Sequence, residues 1–147
     1  MPMSTKNNFP YKPNDYESEK ASFSYLMSLI TIIAGLPLPI INLISTFAFY
    51  LSNRKSSYFI RWHCIQTLLL QVFIVIINAY PFGLLFTIIF YNGQITNSLI
   101  AYLIAAVLIN LFGFIITIYA AIYTGRGKHV YWWFWGDLAD LICREMI

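Results

Sequence analysis

The residues whose types suit chemistry crowd into one stretch, Arg61-Trp62-His63-Cys64-Ile65-Gln66. A cysteine nucleophile needs a base within hydrogen-bond reach and a third group to orient that base. His63 and Cys64 are adjacent, so on a helix they point to different faces. No Asp or Glu lies in the apolar runs to complete a triad. Metal binding lacks support as well, because His63, Cys64, His129 and Cys143 are scattered without any ligand spacing such as C-x-x-C. The sequence therefore predicts no enzyme, no catalytic or metal-binding residue and no cofactor. The two cysteines read as small hydrophobes. What this stretch offers is hydrogen bonding: Arg61 can reach an interface or a phosphate, His63 can donate and accept, and Gln66 lies one turn further on.

The same polar face continues along the chain. At 100° per residue, His63, Gln66, Thr67, Gln71 and Asn78 fall within an arc of about 140°. In a later apolar run, Ala106, Asn110, Gly113, Thr117, Ala120 and Thr124 fall within about 80°. Asn42 supplies a polar group from an earlier run. Polar groups inside apolar segments are costly and need partners, and small residues on one face let helices approach closely. The simplest expectation is that these faces meet, with Arg61, His63, Gln66, Gln71, Asn78, Asn110 and Gly113 acting in helix packing or partner binding. The alternative is a small oligomeric channel or carrier whose path is lined from His63 to Asn78. Transport sites usually hold ionisable groups or broken helices at mid-depth, and His63 is the one titratable candidate.

The elements that carry these residues are set by composition. The chain has 147 residues, 59% hydrophobic and 10% charged, with mean hydropathy +0.67. Neither Ser22 to Asn53 nor Trp62 to Gly125 contains Asp, Glu, Lys or Arg. A bilayer span needs about 20 apolar residues, so the fold class is an all-α polytopic membrane protein. The net charge of +3 is too small and too local for a nucleic-acid surface. Arg54, Lys55, Arg61, Arg126 and Lys128 instead flank apolar runs and read as topology signals, placing the C-terminus in the cytoplasm of a multi-pass bacterial inner-membrane protein. No cleavable signal is visible.

Residues 1–21 read as a flexible polar tail, and residues 22–124 as a bundle of three or four transmembrane segments. The first run, Ser22 to Leu51, is broken at Gly35 to Pro39; either it crosses once with a kink, or it turns back as a hairpin. Charge placement favours the hairpin. The second run starts at Tyr58 and extends past Pro81 and Gly83 to Tyr91, and the third covers Asn97 to Thr124. Residues 125–147 read as an aromatic-rich cytoplasmic segment. In it Trp132, Trp133 and Trp135 sit at headgroup depth and Asp137 caps a short amphipathic helix in the membrane surface; the alternative packs the aromatic cluster beneath the bundle.

Four phrases carry a family resemblance: Gly35-Leu36-Pro37-Leu38-Pro39, Tyr58 to Gln66, Ala120-Ala121 followed by Gly125 to His129, and Gly136-Asp137-Leu138-Ala139-Asp140. Together they resemble the small bacterial membrane proteins related to the twenty-kilodalton subunit of the chloroplast inner-envelope protein-import translocon. Cys64 stands where that group more usually has alanine. The resemblance implies a bundle of three or four spans with cytoplasmic termini. Its functional implication is a non-enzymatic accessory subunit of a larger inner-membrane complex, associated with protein translocation or insertion, whose partners are the bilayer and a translocase or insertase.

Overall fold

The computed structural model describes residues 4–5, 9–30, 39–91 and 94–144. Its elements are β1 (Ser4–Thr5), α1 (Asp15–Met27), α2 (Pro39–Asn53), α3 (Tyr58–Tyr91), α4 (Asn97–Gly125), β2 (Val130–Tyr131) and α5 (Trp133–Arg144). The described residues are thus mostly helical, and among them a two-residue antiparallel ribbon pairs Ser4 with Tyr131 and Thr5 with Val130.

Helix α1 begins inside the stretch read as a polar tail. Asn14 and Glu17 form a capping box: the Glu17 amide donates to Asn14 Oδ1 at 2.8 Å, and the Asn14 amide donates to Glu17 Oε2 at 2.9 Å. One face of α1 is small and buried, comprising Ser18, Ala21, Ser24 and Tyr25. It lies close against α4, where Ser22 Oγ donates to the Ala121 carbonyl at 2.7 Å. A Cβ at Gly125 would stand 3.3 Å from that same Ser22 oxygen. Polar composition concealed this helix because its contact face is small rather than apolar.

Helix α2 is inverted relative to a soluble helix. Its buried residues are Asn42, Thr46 and Asn53, while Ile40, Ile41, Ile44, Phe47 and Leu51 are exposed. Apolar surface turned outward along a whole helix needs an apolar solvent. The proposed break at Gly35 to Pro39 lies, up to Leu38, outside the described residues; Pro39 opens α2 at a position where its missing amide costs nothing.

Two helices, α3 with 34 residues and α4 with 29, are long and apolar enough to cross a membrane, and only 11% of the apolar window of each is buried. The core helices of a soluble domain would instead be mostly buried. At 15 residues α2 is about 22 Å long, short of a hydrocarbon core of about 30 Å. The described helices therefore establish two segments of spanning length, fewer than the three or four expected. Pro81 lies within α3, which continues to Tyr91.

After α4, Gly127 adopts φ 73°, a conformation that favours glycine, and turns the chain into β2. Helix α5 then starts at Trp133, so Asp137 is an internal residue and not the cap expected of it. The reason is local: the Tyr131 hydroxyl reaches forward and donates to the Asp137 carboxylate. The buried face of α5 is again small, formed by Gly136, Ala139 and Cys143.

Candidate functional site

The first three turns of α3 hold the polar constellation, and its partners come from α1 and from the segment around β2. Gln66 Nε2 donates to the Tyr25 hydroxyl at 2.8 Å and to the Val130 carbonyl at 3.2 Å, while the Trp132 amide donates to Gln66 Oε1 at 3.3 Å. The Gln66 amide therefore pairs with the outer edge of β2 much as another strand would. The Tyr25 oxygen lies 2.7 Å from His63 Nδ1, and His63 Nε2 lies 3.3 Å from His129 Nδ1. Tyr25, His63 and Gln66 are all fully buried. Gln66 donates to Tyr25, and the roles of the two imidazoles follow from their tautomers. Gln66, Tyr25, His63 and His129 form one hydrogen-bonded chain.

Aromatic rings enclose this chain. Phe59 lies 4.5 Å from His63, and Trp62 and Phe9 lie 4.2 and 4.6 Å from His129, centroid to centroid. Trp62 also fastens α5, because its Nε1 donates to Asp140 Oδ1 at 2.6 Å and its ring stacks on Tyr131. Burial, and then the Asp137 carboxylate it donates to, push the Tyr131 hydroxyl pKa upward. Burial pushes the Cys143 thiol up to about 11, which makes it a poor nucleophile at neutral pH.

A second polar station lies deeper. Gln71 Nε2 donates to the Ser28 carbonyl at 3.3 Å. Asn78 and Asn110 form a reciprocal amide pair between α3 and α4, at 2.8 and 3.2 Å. Gly113 faces Ile74, where an added Cβ would make ordinary contact at 3.5 Å.

The polar face of α3 and the small face of α4 therefore meet only in part. Asn78, Asn110 and Gly113 lie at that contact, but His63 and Gln66 turn to α1 and β2, and Ala120, Ala121 and Gly125 of α4 accommodate α1. Arg61 is half-buried, with its Nε covered and unpartnered. The tryptophans divide between the two expected fates: Trp132 is buried, Trp133 and Phe134 are exposed, and Trp135 packs on Phe73 at 5.2 Å.

Three participants were not singled out from the sequence as site residues: Tyr25, His129 and Asp140. His129 is 66 residues from His63, and no local spacing links them. The capping box at Asn14 was the available signal for the helix that carries Tyr25. Cys64 is buried, and among the described residues no cluster of three His, Cys, Asp or Glu side chains is placed to hold a metal ion.

Residues 19–136 match the model of the magnetosome magnetite crystal formation protein family. No curated protein and no solved structure matches the chain. The family match overturns the resemblance to the chloroplast import translocon subunit: it covers nearly all of the segment that suggested that kinship and assigns it elsewhere. The hydrophobic runs and the phrase from Tyr58 to Gln66 encode a way of packing helices, which did not identify a translocon.

Proposed function

The chain belongs to the magnetosome magnetite crystal formation protein family, and on that premise we propose that it is a non-enzymatic accessory protein of a mineral-forming membrane, acting through association. One observation carries this reading. Most polar side chains of α3 from His63 to Asn78 are bonded to the chain's own Tyr25, Ser28, Asn110, Val130 and Trp132, so the face serves mainly internal packing. A conduit would need that face turned to a water path, which these internal bonds disfavour.

What remains for partners is the outer surface. The apolar flanks of α2, α3 and α4 face lipid or a larger membrane complex, and the broken first run adds a third or fourth crossing. Trp133, Phe134 and Leu141 project from α5, which suits a helix lying in the cytoplasmic membrane surface. Residues 125–147 then form the interfacial segment, and Ser4–Thr5 and Phe9 pack against its start.

The test is removal of the chain from a magnetite-producing cell, with crystal dimensions measured by electron microscopy. The expected outcome is an altered size distribution, restored by the wild type and not by a variant with Trp133 and Phe134 both changed to Ser. Crystals indistinguishable from those of the parent would end the proposal.

A further inference from the structure

Between α2, α3 and α4 lies a cavity of about 310 Å³ whose wall includes Ser28, Gln71, Asn78, Asn110 and Thr117. This is roughly twice the volume of an engineered apolar cavity that admits benzene. Its rim includes Phe82 and Val107, both exposed, so the cavity opens sideways onto the apolar surface.

Many of the hydrogen-bond donors in the wall are already used within the chain. Asn78 Nδ2 donates to the Ile74 carbonyl and to Asn110 Oδ1; Asn110 Nδ2 donates to the Ala106 carbonyl and to Asn78 Oδ1. Both hydrogens of each amide are therefore committed. The Thr117 and Ser28 hydroxyls donate to the Gly113 and Tyr25 carbonyls. Gln71 turns its amide nitrogen to the Ser28 carbonyl, which orients the amide and leaves Oε1 buried without a donor. Gln71 Oε1 is thus an unpartnered acceptor among donors that are mostly used. None of the described lining residues is charged or a histidine, and the whole sequence from Ser22 to Asn53 is uncharged. An ion would have no counter-charge in a medium where that is costly. Gln71 and Asn78 are seven residues apart, about 10 Å along the helix, too far to share one ion.

We propose that this cavity binds an uncharged, membrane-soluble alcohol or phenol, with its hydroxyl donating to Gln71 Oε1 and its apolar body lying along Ile74, Leu103 and Phe114. The inference is independent of the accessory role argued above.

The full chain in mild detergent can be titrated with 4-propylphenol, propylbenzene and 4-propylanisole, with affinity followed by ligand-detected NMR. These probes share one body and differ in the donor. The phenol is expected to bind about tenfold tighter than either comparison compound, the scale of one hydrogen bond. In Gln71→Met that advantage disappears while propylbenzene affinity stays, and Leu103→Trp, which fills the cavity, weakens all three. Equal affinities for the wild type would overturn the proposal and leave water as the cavity's occupant. An anisole binding as well as the phenol would overturn it without recourse to any variant, as would a phenol preference that survives Gln71→Met. Potassium or sodium chloride raising the unfolding midpoint in place of any phenol preference would point to an ion and overturn it too.

Discussion

The two ends of α3 are built for different surroundings. From Phe59 to Gln71 most of its residues are buried, and Trp62, His63 and Gln66 are enclosed by α1, β2 and α5. From Val72 onward only Asn78 and Pro81 are buried, and Ile89 and Phe90 are 70% and 66% exposed. The paired half of α4 follows suit, with Val107 64% exposed, while its C-terminal turns bury Thr117, Ala120, Ala121 and Thr124. One half of the molecule therefore stabilises itself as a soluble domain does, by closing aromatic and polar groups on one another. The other leaves its apolar surface to the bilayer and needs few internal contacts. One continuous helix can serve both environments, and what differs is where its polar residues fall and whether they have neighbours in the rest of the chain.

Substitutions can break this comparison. Trp62→Ala removes the largest fully buried ring together with the bond to Asp140, and is expected to destabilise the enclosed half by about 3–5 kcal/mol in denaturant titrations monitored by tyrosine and tryptophan fluorescence. Gln66→Leu is expected to cost about 2–3 kcal/mol, because Tyr25, Val130 and Trp132 lose a partner in a buried place. It should also raise hydrogen exchange at the Trp132 amide. In the open half, a double-mutant cycle on Asn78→Ala and Asn110→Ala should give a coupling of only about 0.6 kcal/mol, the usual scale of such pairs between membrane helices. The smallest effect belongs to Phe90→Ala, expected within about 0.5 kcal/mol of the wild type when read in lipid nanodiscs. If Phe90→Ala cost as much as Gln66→Leu, the outer half would be covered by protein, and the contrast between the halves would fail.

The open half was legible in the sequence and the enclosed half only partly so. Charge-free runs reveal lipid-facing helices directly, and α3 and α4 follow the boundaries drawn from them within a residue or two. Asn78 and Asn110 were recognisable because a lone amide in an apolar helix must find a partner. The enclosed half rests on long-range pairings that leave no periodic trace. His63 meets His129 across 66 residues, and Tyr25 arrives on a helix whose buried face is serine and alanine. Asp137 looked like a cap because aromatic residues preceded it; those residues themselves begin α5, since Tyr131 folds back over Gly136, where an added Cβ would lie 2.8 Å from its ring. The phrase from Tyr58 to Gln66 pointed to the wrong family; in the fold it supplies the residues around Gln66.

The pairing of Gln66 with β2 has a further consequence. Val130 to Trp135 is an uncharged run of β-branched and aromatic residues without proline, the composition of segments that recruit one another into aggregates. In the folded chain one edge of β2 is taken by Ser4 and Thr5 and the other by the Gln66 amide. A strand of two residues is thereby left without a free edge, and a glutamine side chain closes the side on which the start of this run could have served as a template for a neighbouring chain in a crowded membrane.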